Sequence, residues 1–108
     1  MNVTAMGRVN VATPGTPVPL STNPTQRVAK LAIQSIPALT GKGYIGNSTM
    51  VRASLAGVVR VLWPNTSGGI ADSFVVESQV GRNTIPLASY YIDMDVAGEG
   101  LLVSYWTA

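Results

Sequence analysis

Three carboxylates near the C-terminus, Asp93, Asp95 and Glu99, form the densest group of titratable side chains in this chain of 108 residues. Asp93 and Asp95 share one face of an extended segment and Glu99 follows in a turn, which offers hard oxygen ligands of the kind Ca²⁺ takes. The run Asp93-Met94-Asp95-Val96-Ala97-Gly98 starts like an EF-hand loop. Ala97 stands at the third ligand position, however, and Ser104 stands where a closing glutamate is required, so that motif is excluded. What remains is a looser calcium site on the three carboxylates, set against a plain solvated strand face. Paired carboxylates also serve glycoside hydrolysis, but nothing in so short a chain marks a substrate groove.

Other chemistries lack their residues. The chain has no His and no Cys, which removes Ser–His and Cys–His dyads, imidazole and thiolate metal sites and disulfides. Lys30 and Lys42 are the lysines that a Ser–Lys arrangement would need, and no local pattern sets a serine beside either. Gly41-x-Gly43 and Gly98-x-Gly100 do not open helices, so neither reads as a phosphate loop. Tyr90, Tyr91, Tyr105 and Trp106 offer a stacking or sugar-binding platform, but aromatics in strands serve first as core and cross-strand packing. The same applies to Trp63 ahead of Pro64. The expectation is a non-enzymatic protein without catalytic residues or cofactors.

Composition points the same way. Charged residues make up 11% and hydrophobic residues 46%, with mean hydropathy +0.28. The apolar share is ordinary, so the unusual property is a thin charged coat. Either copies of the chain or a larger assembly cover part of the surface, or hydroxyls, amides and backbone groups solvate it. The net charge of +2 is carried by basic residues spaced singly from Arg8 to Arg82, with no cluster to track a phosphate backbone, so no nucleic-acid partner is expected. No basic segment with a following apolar run opens the chain, and no apolar run approaches the ~20 residues of a spanning helix. No membrane partner and no export by the usual route are expected.

The elements that must position these residues read as strands. Tyr90, Ile92, Met94 and Val96 alternate with Tyr91, Asp93 and Asp95, and Ala97 to Gly100 reads as a tight turn. Leu101, Val103 and Tyr105 then alternate with Leu102, Ser104 and Trp106, which predicts a C-terminal hairpin with one core face. Upstream, Val3, Ala5, Gly7, Val9 and Val11 alternate with polar neighbours, as in a first strand or an extended arm laid on a neighbour. Residues 1–15 are that arm or first strand, and residues 16–108 the domain. Pro14 to Leu20 reads as a linker into an edge strand. Arg27 to Ile36 fits a helical face but alternates better as a strand, and Pro37 would stop any helix. Tyr44 to Gly46 is a short strand and Asn47 to Gly57 a polar loop. Val58 to Trp63 is a strand with Val59, Val61 and Trp63 on one face, and Asn65 to Gly69 a turn. Ala71 to Ser78 is a strand with Phe74 and Val76 inward, and Ile85 to Leu87 a short edge strand. Seven to eight short antiparallel strands with turns every 8–12 residues predict a single-domain all-β fold, a β-sandwich or jelly roll.

Several pieces together resemble a known group. Thr16-Pro17-Val18-Pro19-Leu20-Ser21 precedes Leu31-x-Ile33-Gln34, and Thr40-Gly41-Lys42-Gly43-Tyr44-Ile45-Gly46 follows. The tail carries Tyr91-Ile92-Asp93-Met94-Asp95-Val96, Gly98-Glu99-Gly100 and Ser104-Tyr105-Trp106. The combination is similar to small β-sandwich structural proteins of tailed bacteriophages, of the capsid decoration or cement type. That resemblance implies a virion protein, made in the host cytoplasm, that forms dimers or trimers and binds the major capsid protein to stabilise the shell. An assembly interface is then expected at Val3, Val9, Val11, Tyr105 and Trp106. The rival reading is a tail, baseplate or fibre module that recognises a cell-surface glycan.

Overall fold

A computed structural model describes residues 2–36, 39–64 and 72–108 of the chain. The turn expected over Asn65 to Gly69, the stop at Pro37 and the strand start at Ala71 lie outside the described residues. The fold is an all-β sandwich. Its strands are β1 (Asn2–Asn10), β2 (Val18–Pro19), β3 (Arg27–Val28), β4 (Lys30–Gln34), β5 (Gly43–Val51), β6 (Ala56–Leu62), β7 (Ser73–Glu77), β8 (Ile85–Pro86), β9 (Tyr91–Met94) and β10 (Gly100–Thr107). The first sheet has the order β1-β10-β4-β7 and the second β2-β9-β5-β6, all antiparallel, while β3 and β8 pair separately.

Alternating apolar residues bring the two sheets together. Leu31 and Ile33 of β4, Leu101 and Val103 of β10, Ile45 of β5 and Ile92 and Met94 of β9 are each fully buried in one core. Residues 27–36 are not helical: they form β3 (Arg27–Val28) and β4 (Lys30–Gln34), parted at Ala29, and in β4 Leu31 and Ile33 face the core together between paired β10 and β7. Phe74 and Val76 pack inward from β7, and Val18–Pro19 is an edge strand on β9.

Two parity readings are corrected. The C-terminal segments do not form a hairpin: β9 lies in the second sheet and β10 in the first, so the chain crosses the sandwich between Met94 and Gly100. Their alternation is real, but each core face needs a different sheet to meet it. Val59, Val61 and Trp63 do not share one face equally: Val59 is 64% and Trp63, just past β6, 62% exposed, while Val61 is half-buried and Leu62 fully buried. The residues after Gly46 are also not a loop, because β5 runs on to Val51 and turns into β6.

That hairpin doubles back. Gly46 pairs with Tyr91, and β5 running straight on would carry Arg52 about 20 Å beyond it. Instead Arg52 Nη1 lies 2.8 Å from Asp95, past the opposite end of β9. The ladder slips on both sides of Gly46, where a Cβ would collide with the Gly57 carbonyl, so glycine permits the fold-back. In β1, Met6 has no partner on β10, which makes a bulge with Gly7 at φ 76°. The bulge switches faces. Val9 and Gly7 oppose buried Leu101 and Val103, whereas Val3 and Ala5 oppose Trp106 and Ser104 on the outer surface.

Leu31→Ala should lower stability by about 2–5 kcal/mol, read by denaturant unfolding. Gly100→Ala, whose Cβ would meet the Val9 carbonyl, should destabilise by about 1–3 kcal/mol and loosen β1 from β10. Unchanged amide exchange in β1 of Gly100→Ala would contradict this packing.

Candidate functional site

The three carboxylates occupy the crossing from β9 to β10, and each is already engaged. Asp93 is buried, with 1% exposure, on the outer side of the second sheet. The Gly15 N–H donates to both its oxygens at 3.1 and 3.2 Å, and the Met94 N–H donates at 2.8 Å. Arg52 Nε is buried, makes no hydrogen bond among the described residues, and lies 3.9 Å from Asp93 Oδ2. Asp95 accepts from Arg52 Nη1 at 2.8 Å, the Tyr44 hydroxyl at 3.0 Å and the Lys42 N–H at 3.2 Å. Glu99 accepts from the N–H groups of Thr40 and Gly41 and from the Thr40 hydroxyl.

These partners set the electrostatics. Burial disfavours the Asp95 charge, but hydrogen bonds from Arg52, Lys42 and Tyr44 and the Arg52 charge outweigh it, so its pKa falls below 3.8. Glu99 falls below 4.5 in the same way: its burial is outweighed by Thr40, Gly41 and the Arg8 charge. Tyr44 is pushed up from 10.0, first by burial and then by its bond to anionic Asp95.

The arrangement argues against the calcium reading. Much of the carboxylates' acceptor capacity is taken up by N–H and O–H donors, and the Arg52 guanidinium already occupies the charge-neutralising position beside Asp93 and Asp95. Among the described residues no group of three or more His, Cys, Asp or Glu side chains is placed to share a metal ion. No cleft for a small molecule opens among them either.

The expected assembly residues separate. Val11 is fully buried, and Val9 is partly buried against the core. Tyr105 also packs inward, and its hydroxyl accepts from Gln26 Nε2 at 3.2 Å. Val3 and Trp106 do come together, directly opposite each other on the outer face of the first sheet. The same face carries Val75 and Leu102, 53% and 38% exposed. Between them lie Ala5, Ser104 and Ala32 in one row, so the surface is low and flat.

Sequence reasoning missed two features. Arg52 read as a loop charge, and no local motif marks it as the partner of residues 41 and 43 positions away. Lys30 and Lys42 sit over the rings of Trp106 and Trp63, at 4.9 and 4.7 Å from the centroids. Comparison of the chain with protein-family models, curated proteins and solved structures finds no match.

The lowered pKa values of Asp95 and Glu99 fix a sign. Their contribution is present above their ordinary values of 3.8 and 4.5 and is lost as pH falls through the lower folded values. Thermal melts from neutral pH to about pH 3 should therefore show a falling Tm at the acid end. Asp95→Asn/Glu99→Gln should flatten that slope. A double variant as acid-sensitive as the parent would contradict the assignment.

Proposed function

We propose that this chain is a non-enzymatic structural protein that self-associates on a bacteriophage capsid as a decoration or cement protein. The observation that carries the reading is the outer face of the first sheet, where Val3, Val75, Leu102 and half-buried Trp106 lie in flat rows at the surface. The second sheet is partly covered by the chain's own Gly15 turn and Arg52 hairpin, while Val51, Val59 and Trp63 stay exposed on its β5–β6 side. A flat β-surface, whose charges by register are Arg8, Lys30 and Glu77, suits contact with another flat surface more than capture of a small ligand. The thin charged coat and the resemblance of the Thr16–Ser21, Thr40–Gly46 and Tyr91–Trp106 segments to phage decoration proteins support the same reading. The partners are other copies of the chain and the major capsid protein, and the location is the virion surface.

One observation favours the rival reading, a glycan-binding module of a tail, baseplate or fibre. Trp63 is 62% exposed, the kind of ring a sugar stacks on. Lys42 already occupies space over that ring, which leaves less of it for a ligand.

Quantitative mass spectrometry of virions separates the two. The decoration reading expects on the order of hundreds of copies per particle, as a repeating shell contact requires. Val75→Glu/Leu102→Glu should fold, yet lose retention on purified shells and lower the temperature at which they rupture. A handful of copies confined to tails, or glycan binding abolished by Trp63→Ala, would overturn it.

A further inference from the structure

We infer that residues 47–57, the returning end of the β5–β6 hairpin, form a strap bolted by Arg52, which opens and closes over Tyr44 and Asp93 while the sandwich stays folded. The motion lies within one chain and stands apart from the capsid reading.

Little holds this segment down. Between the pairs Gly46↔Val58 and Val51↔Ala56, residues 47–50 have no partner in register on β6. In residues 47–57 only Met50 is buried and only Arg52 half-buried, while the rest are exposed. Met50 stands outside the main core, with its sulfur beside Gly46. Other hydrogen bonds of the segment are local and travel with it: Asn47 Oδ1 accepts from the Thr49 N–H and hydroxyl, and the Val58 N–H donates to the Leu55 carbonyl. A segment with one apolar anchor and exposed backbone opens at far lower cost than the core strands around it. Both passages of the chain into the strap are glycines, Gly46 and Gly57, the latter at φ 71°, and glycine absorbs backbone rotation most readily.

Closure carries two local costs. Leu55 at the tip has φ 62°, a left-handed conformation that leucine rarely takes, and its exposed side chain gains little burial in return. Arg52 Nε is buried without a hydrogen bond among the described residues. Against these stands one bolt: Arg52 Nη1 donates to Asp95 at 2.8 Å, with Asp93 Oδ2 3.9 Å from Nε. The bolt closes over Tyr44, which opposes Asp93 in register, is buried outside the main core and donates its hydroxyl to Asp95 at 3.0 Å. Opening frees the guanidinium and brings Tyr44, Asp93 and Asp95 to water, so the two states present different chemistry on the second sheet. Asp93 keeps the Gly15 and Met94 N–H donors in either state, which lets the rest of the fold survive the release of Arg52.

The chain's own methionines report the motion without substitution. Met6 is exposed, Met94 is fully buried in the main core, and Met50 is shut in by the strap. Peroxide oxidises a thioether that it can reach, so in the full chain, read by peptide mapping in rising urea, Met6 marks free access and Met94 global unfolding. Met50 should oxidise at least ~tenfold faster than Met94 and more slowly than Met6, at a rate that stays flat in low urea where that of Met94 rises. Arg52→Gln and Asp95→Asn should each raise the Met50 rate at least ~tenfold, the effect of losing a charge-assisted hydrogen bond, and the double variant should gain little more than either alone. Met50 keeping pace with Met94 at every urea concentration means that only global unfolding exposes it, and overturns the inference. So does a Met50 rate equal to that of Met6, which leaves no closed state, or a Met50 rate that neither variant raises. The Met50 and Met94 rates of the parent chain decide between these outcomes even where a variant does not fold.

Discussion

Asp93 is a carboxylate with 1% exposure inside a protein that has only five acidic residues, and much of the second sheet's outer surface follows from satisfying it. An ionised carboxylate out of water costs several kcal/mol unless donors replace its hydration. Two donors do so, the Met94 N–H from its own strand and the Gly15 N–H from the turn before β2, while the Arg52 guanidinium from the β5–β6 hairpin adds its charge at 3.9 Å without a hydrogen bond. Asp95, two residues on, holds the same guanidinium at 2.8 Å and binds Tyr44 and Lys42. One short acidic segment thereby closes two loops over the sheet and fixes where the chain leaves it. Asp72 does comparable work between β6 and β7, and Glu99 holds the 40–41 turn.

The two outer faces differ in how they are held. The loops that reach Asp93 and Asp95 lie on the β9 side of the second sheet, whose β5–β6 side leaves Val51, Val59 and Trp63 exposed, and the first sheet exposes Val3, Val75 and Leu102. The apolar residues there are consequences of strand alternation: Val75 must point outward if Phe74 and Val76 point inward, and Leu102 must if Leu101 and Val103 do. A surface arising this way is flat and patterned in rows. That geometry underlies the proposal of a protein that binds other protein surfaces.

Much of the fold was legible in the sequence because period-2 alternation survives wherever a strand has one buried face. β4, β7, β9 and β10 were read correctly on that signal, and the ambiguous 27–36 segment resolved as β3 and β4 and not as a helix. Errors came where a backbone irregularity changed the period or where pairing was non-local. The bulge at Met6 reverses the face of Val3 and Ala5, and slippage around Gly46 hides the length of β5. The β9–β10 segment carries every local sign of a hairpin, including glycines at 98 and 100. Whether two adjacent strands pair or part into different sheets depends on which other strands compete for them. Here β5 takes β9 while β4 and β1 take β10. The carboxylates were legible as a cluster but not as clamps, since their partners Gly15, Thr40 and Arg52 are distant in sequence and none is distinctive by type.

The thin charged coat acquires a physical reason from this. Asp72, Asp93, Asp95 and Glu99 bind loop N–H groups or arginines, Arg52 and Arg60 are in ion pairs, and Lys30 and Lys42 rest on tryptophan rings. Arg8 and Arg27 bond to groups of their own chain. Most of the charges that do exist are therefore engaged within the chain and are not free on its outer surface. Bringing a second surface against the first sheet then strips water from few unpaired ions, the term that most often cancels the gain from apolar burial at an interface. Specificity at such a surface must then come from shape and from the polar groups at its rim.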